Sequence, residues 1–188
     1  MKIALFASGD GSNVQAVLDA CQTGCMKAEP VLIVSDNPEA FVLTRAEKAG
    51  VPTFSARPKD LGGKEAFERE VLQTLRSYGA EWLVLAGYMR LLSPVLLVPF
   101  EKRIINIHPS LLPSFPGLDA VGQAFQAGVK ITGVTIHFVD EGMDTGPIIE
   151  QEPVRIEKTD TYDTLSKKIK QIEHRLYPDV IRRVIEEE

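Results

Sequence analysis

Cysteine is scarce in this chain: among 188 residues only Cys21 and Cys25 are present. They stand four apart with no histidine cluster nearby, so a zinc site is not expected, nor any other metal. Two thiols are also too few for a disulfide framework, which suits a reducing compartment. No apolar run approaches the roughly 18 residues that a membrane span requires. The N-terminal stretch Met1–Gly9 carries one Lys before a short apolar segment. A secretory signal needs a longer apolar region and a small-residue cleavage site, so the stretch reads instead as a first β-strand. A cytoplasmic protein with no membrane partner is expected. Basic charge is not in excess either. The balance of 21 Lys and Arg against 26 Asp and Glu leaves a net charge of −5, which argues against a nucleic-acid binder. A local basic pocket for a phosphate remains compatible with it. There is no internal repeat, no low-complexity tract and no linker. The Pro and Gly clusters therefore read as loops inside one domain spanning 1–188.

What the chain does have is an alternation of apolar runs and helical stripes. Ile3–Ala7 reads as a strand, followed by Val14, Val17, Leu18 and Cys21 at helical spacing. Val31–Val34 is the next strand, and Phe41–Ala49 is helical up to Gly50. Val51–Phe54 suits a short strand. Phe67, Val71, Leu72, Leu75 and Tyr78 form a second helical stripe. Trp82–Ala86 and Ile104–Ile107 are further strands. Strands with continuous apolar character belong in a parallel sheet covered on both faces, which makes the fold class α/β. The second half changes. Val134, Ile136 and Phe138 alternate with Thr135, His137 and Val139, as in a half-exposed antiparallel strand. Glu152–Ile156 reads as another. Leu165, Ile169, Ile172 and Leu176 mark a long C-terminal helix that Pro178 interrupts, with the pattern resuming at Val180.

Two places carry chemistry. In R-I-I-N-I-H-P-S-L-L-P, Asn106 and His108 alternate with Ile105 and Ile107, so both polar side chains leave one face of the strand. Pro109, Pro113 and Pro116 then drive the chain off the sheet. Asp144 returns between Gly142 and Gly146. Asn and His donors beside a carboxylate suit a carbonyl that becomes an oxyanion, because a neighbouring carboxylate favours the imidazolium, the stronger donor. The second place is the loop Ser8-Gly9-Asp10-Gly11-Ser12-Asn13 between first strand and first helix. Its glycines allow close approach, and the helix end favours a phosphate. The same loop also fits an ordinary capped turn. It is not G-x-G-x-x-G, and only Asp36 stands near the second strand end, so a dinucleotide is a weak reading. His137 is expected on the exposed face of its strand with Thr135, in a supporting role. Lys64 and Glu173 alone read as surface charges, and His174 follows Glu173 in the C-terminal helix.

Five motifs together resemble the folate-dependent formyltransferases. They are S-G-D-G-S-N at Ser8–Asn13, L-A-G-Y-M-R-L-L at Leu85–Leu92, N-I-H-P-S-L-L-P at Asn106–Pro113, D-T-G-P-I-I at Asp144–Ile149 and Q-I-E-H-R-L-Y-P at Gln171–Pro178. The resemblance covers nearly the whole chain. It implies a Rossmann-like, mostly parallel twisted sheet with helices on both faces and an antiparallel C-terminal portion. It further implies a nucleotide-binding N-terminal half and a folate-binding C-terminal half. The short S-G-x-G-S-N form points to the branch that formylates 5-phosphoribosylglycinamide in purine (IMP) synthesis, with 10-formyl-tetrahydrofolate as a consumed cosubstrate and no tightly bound cofactor. Carried over by resemblance, Asn106, His108 and Asp144 are catalytic. Gly11, Ser12, Asn13 and Lys64 meet the substrate phosphate, and Glu173 meets its ribose. Met89, Arg90, Leu91, Leu92, Val139, Asp140 and Glu141 surround the folate. Asp10 and Asp119 depart from residues common in the family. Asp10 is expected to point away from the phosphate or to cap the helix. The alternatives are a formyl-tetrahydrofolate deformylase, whose relatives carry an extra N-terminal domain where this chain starts on its first strand, and a non-catalytic phosphometabolite-binding module. The sequence leaves monomer and homodimer equally open.

Overall fold

Continuous apolar strands require cover on both faces, and the chain supplies it with helices. The computed structural model describes residues 1–186. Seven strands form one sheet: β1 Lys2–Phe6, β2 Glu29–Ser35, β3 Thr53–Ser55, β4 Trp82–Leu85, β5 Ile104–His108, β6 Ile131–Phe138 and β7 Ile148–Arg155. Their order is β3-β2-β1-β4-β5-β6-β7. The first five are parallel, and β6 and β7 are antiparallel to their neighbours. Among the described residues five α-helices lie between strands, α1 Ser12–Gln22, α2 Val42–Ala49, α3 Lys64–Tyr78, α4 Pro94–Leu97 and α5 Ala120–Ala127, and a sixth, α6 Tyr162–Glu186, follows β7.

Period-2 geometry divides the sheet's residues between two cores. Ile3, Leu5, Val84, Ile105 and Ile107 pack with Val14, Val17 and the buried stripe of α6. Ala4, Phe6, Leu83, Leu85 and Ile104 pack with Phe67, Val71, Leu75 and Leu96 on the other side. Tyr177 of α6 is fully buried, and its hydroxyl lies 2.7 Å from the Leu85 carbonyl and 3.1 Å from that of Ile105. Burial raises this phenol well above its usual range, so it serves as a neutral donor between β4 and β5.

Two expectations about these elements need correction. Pro178 does not interrupt the last helix; α6 runs continuously from Tyr162 to Glu186. A Pro inside a helix costs about 3 kcal/mol. Leu165, Ile169, Leu176, Tyr177, Val180, Ile181 and Ile185 are buried on both sides of it, at roughly 1.5–3 kcal/mol each, which outweighs that cost. β6 is not half-exposed: Thr132–His137 are buried on both faces. The loop after β5 folds back over the second face. There the Thr135 hydroxyl donates to Ser110 O (2.7 Å) and accepts from Leu112 N–H (3.0 Å). Two helices also carried no apolar stripe in the sequence. α4 opens on Ser93-Pro94, with the Ser93 hydroxyl accepting from Val95 N–H at 3.2 Å. α5 is capped by Asp119, which accepts from Gly122 N–H at 3.1 Å and from the Tyr162 hydroxyl at 3.1 Å.

Candidate active site

The chain winds one way from β1 to β3 and the other way from β4 onward. The loops leaving β1 and β4 therefore diverge and open a crevice at the strands' carboxyl ends. A cavity of about 560 Å³ lies there, adjoining a smaller one of about 390 Å³. Gly87, Met89, Ile107, Pro109, Lys170 and Glu173 line both, so the two form one continuous cleft.

The smaller cavity is walled by Ser8–Asn13. Gly11 is in the left-handed region at the start of α1, and no side chain caps this helix. The first-turn N–H groups are therefore left for an anion. Met89 N–H donates to Ser8 Oγ at 2.8 Å, tying this loop to the one after β4. Asp10 does not cap the helix. Its carboxylate is turned to Arg45 of α2, with Arg45 Nη2 3.1 Å from Oδ2 and Nε donating to the Asp10 carbonyl at 2.8 Å. Asp36 likewise pairs with Arg90, 2.6 Å from its Nε.

Glu173 is not a surface charge; it is 7% exposed at the junction of the two cavities. Asn13 Nδ2 donates to it at 3.3 Å. Burial pushes its carboxyl up to about 7 from the usual 4.5, partly offset by Asn13 and Lys170. Between pH 4.5 and 7 the folded chain therefore holds a proton that the unfolded chain has lost. Stability should fall as pH rises through that window, by on the order of 3 kcal/mol. Glu173→Gln should abolish this fall and be the more stable protein above pH 7. Urea unfolding of both proteins at both ends of the window measures it. A parallel pH dependence in the two would mean that Glu173 is not the titrating group.

The larger cavity gathers Asn106, His108 and Asp144. Asn106 faces His137 across the β5–β6 ladder. His137 Nδ1–H donates to the Phe138 carbonyl at 2.7 Å, so its Nε2 holds a lone pair in the neutral ring. That lone pair accepts from Asn106 Nδ2 at 3.2 Å. Burial, the largest influence on His137, lowers its pKa and maintains the neutral form. His137 thus dictates which way the Asn106 amide is turned, and the second Nδ2 hydrogen remains for a ligand. His137 is 2% exposed, not on an open face as the alternation suggested. His108 Nε2–H donates to the Phe115 carbonyl at 2.9 Å. Its Nδ1 lies 3.5 Å from Asp144 Oδ2, and Asp144 Oδ1 lies 3.9 Å from His137 Nε2. Gly117 N–H donates to Asp144 Oδ2 at 2.9 Å. The loop can close this tightly because Gly146 abuts the sheet. A Cβ there would sit 1.8 Å from the Phe138 carbonyl oxygen.

Met89, Arg90, Leu91, Leu92, Val139 and Asp140 all line the larger cavity, whereas Glu141 is exposed and lines neither. Lys64 is exposed at the start of α3 and also lines neither. The cation that does line both cavities is Lys170, one helical turn before Glu173. Sequence reasoning passed over it. The only available signal was its i, i+3 spacing to a residue already singled out.

Residues 1–181 match the formyl transferase family. The chain is 49% identical to phosphoribosylglycinamide formyltransferase of Bacillus subtilis, over 98% of this chain and 94% of that protein. It is 41% identical to the trifunctional purine biosynthetic protein adenosine-3 of Gallus gallus, covering 98% of this chain and 18% of the larger protein. The crystal structure of phosphoribosylglycinamide formyltransferase from Bacillus halodurans superposes with a TM-score of 0.96 at 50% identity, over 98% of this chain and 95% of that one. A match of this length, to sequence and fold alike, makes the chain a member of the formyl transferase family.

Proposed function

We propose that the protein transfers a formyl group from 10-formyl-tetrahydrofolate to the amine of 5-phosphoribosylglycinamide, a step of purine synthesis, with the folate as a consumed cosubstrate. The observation that carries this reading is the convergence of Asn106, His108 and Asp144 in a cavity continuous with an uncapped helix N-terminus. The phosphate would lie on the N–H groups of Gly11, Ser12 and Asn13, with Lys170 alongside. The ribose would meet Glu173. The folate would occupy the larger cavity against Met89–Leu92 and Val139–Asp140. The roles of Lys64 and Glu141 rest on the family resemblance alone.

The chemistry follows from the donors. A neutral amine attacks the formyl carbon, and the carbonyl oxygen becomes an oxyanion. Asn106 directs its second Nδ2 hydrogen to that oxygen, and a protonated His108 Nδ1 directs another. Both bonds strengthen as charge develops, so they favour the transition state over the substrate. Asp144 offsets the imidazolium charge and receives the proton that leaves the attacking amine, passing it to the departing folate nitrogen. Much of the acceleration comes from holding two reactants in one cleft.

The test supplies the protein with both substrates and follows tetrahydrofolate and formylated product. Product should appear in step with tetrahydrofolate. The dephosphorylated riboside should bind roughly 100-fold or more weakly, since a helix-end anion site with charge-assisted bonds is worth a few kcal/mol. Release of formate without the ribonucleotide would replace this reading with a hydrolase. Equal affinity for ribonucleotide and riboside would remove the loop as the phosphate site.

A further inference from the structure

We propose that Ser110 is a positioning residue for His108, acting through the carbonyl of Phe115; this rests on the formyl-transfer reading above. A histidine on a strand end is anchored at its Cβ, but its ring is free to rotate and to exchange tautomers. Here the ring is held from its far side. The Phe115 carbonyl accepts from His108 Nε2 at 2.9 Å, and a carbonyl only accepts. The contact therefore requires the proton on Nε2 in the neutral ring, and it turns Nδ1 to the cavity and Asp144.

That carbonyl lies where an isolated chain would seldom put it. Phe115 has φ +54°, in the left-handed region that a bulky side chain rarely occupies. The Ser110 hydroxyl lies 2.6 Å from the Ser114 carbonyl and 3.3 Å from that of Phe115, and Ser110 is fully buried. Ser110 is itself fixed to the sheet. Its carbonyl accepts from the Thr135 hydroxyl at 2.7 Å, and Thr135 Oγ1 accepts from Gln151 Nε2 at 2.9 Å. Gln151 also donates to Leu112 O at 3.0 Å. A chain of contacts thus runs from β7 through β6 and Ser110 to the Phe115 carbonyl and the His108 ring. The same loop supplies the Gly117 N–H that holds Asp144. Both members of the catalytic pair are thereby referred to one support, and the Ser110 hydroxyl touches neither of them.

The experiment is ring ¹⁵N NMR of the ligand-free protein at alkaline pH, combined with steady-state kinetics of Ser110→Ala. In the wild type, His108 should be the pure Nε2–H tautomer. In Ser110→Ala the Nδ1–H tautomer should appear, kcat should fall roughly 10-fold, and both KM values should stay within about two-fold, as expected when orientation rather than binding is lost. Ser110→Cys preserves volume with a weaker donor and should lie between the two, and it decides the matter if Ser110→Ala does not fold. A variant with unchanged tautomer and unchanged kcat overturns the proposal. So does one that loses activity through raised KM with the tautomer intact, since Ser110 would then only shape the loop. The tautomer is read without substrate, so a wild type that transfers no formyl group would sink the functional reading while the Ser110 result still stood or fell on its own.

Discussion

Asp144→Asn is expected to lower turnover by roughly 100-fold or more, the scale of losing an acid–base or oxyanion group. Asp144 Oδ2 lies 3.5 Å from His108 Nδ1 and accepts from Gly117 N–H at 2.9 Å. An Asn oxygen preserves the second contact, so the loop should stay closed. What the amide cannot do is oppose the imidazolium charge. With Nε2–H given to the Phe115 carbonyl, a bare Nδ1 lone pair repels the Asp144 carboxylate, whereas Nδ1–H attracts it and is the group that donates to an oxyanion. An amide removes that preference and can no longer take the proton from the attacking amine. Binding of both substrates should change much less, because the lost interaction is made in the transition state. Steady-state kinetics with calorimetric binding of each substrate check it. Near-normal turnover would reduce Asp144 to a residue that closes its loop against Gly117.

Gly11→Ala should raise the KM for the ribonucleotide by roughly 100-fold while leaving the KM for the folate nearly unchanged, since a shifted loop loses the few kcal/mol of a helix-end anion site. Gly11 has φ +73°, and an added Cβ would lie 2.4 Å from Val42 Cγ2 and 2.7 Å from Val42 Cβ. The left-handed backbone costs a non-glycine about 1 kcal/mol. The overlap adds about 1–3 kcal/mol or pushes the loop away from α2. The first-turn N–H groups move with it. Thermal unfolding reports the stability loss, and kinetics on both substrates report the selectivity. Val42→Ala in the same protein should restore part of the affinity by removing the nearest overlapping atom, Cγ2, while the Val42 Cβ contact at 2.7 Å persists. An unchanged ribonucleotide KM in a folded Gly11→Ala protein would mean that phosphate binds elsewhere.

The parallel half of the fold was legible because its signals are local. Ile3–Ala7, Val31–Val34 and Trp82–Ala86 are apolar without alternation, as only a doubly covered strand can be. Gly50 is the left-handed C-cap where the stripe of α2 stops. Asn106 and His108 were readable as a pair because strand geometry sends i and i+2 to the same side whatever packs there. Asp144 was suggested by its glycine neighbours, but its reach to His108 was not. That contact depends on the antiparallel return of β6 and on Gly117 from another loop.

Other features were decided only by what came to lie against them. The alternation of β6 marks two faces but cannot say that the Pro-rich loop covers the second, which is why Thr135 and His137 read as exposed and are buried. Glu173 looks like any helix carboxylate until Asn13, 160 positions away, bonds to it. Asp10 could cap α1 or leave it, and Arg45 of α2 decides the choice. The sequence by itself determined the periodicities: which residues share a strand face, where the apolar stripes of α1, α2 and α3 run, and which motifs place the chain in its family. The tertiary structure alone decided which polar groups lose water, because desolvation depends on segments distant in the chain. That loss is what keeps His137 neutral and raises Glu173.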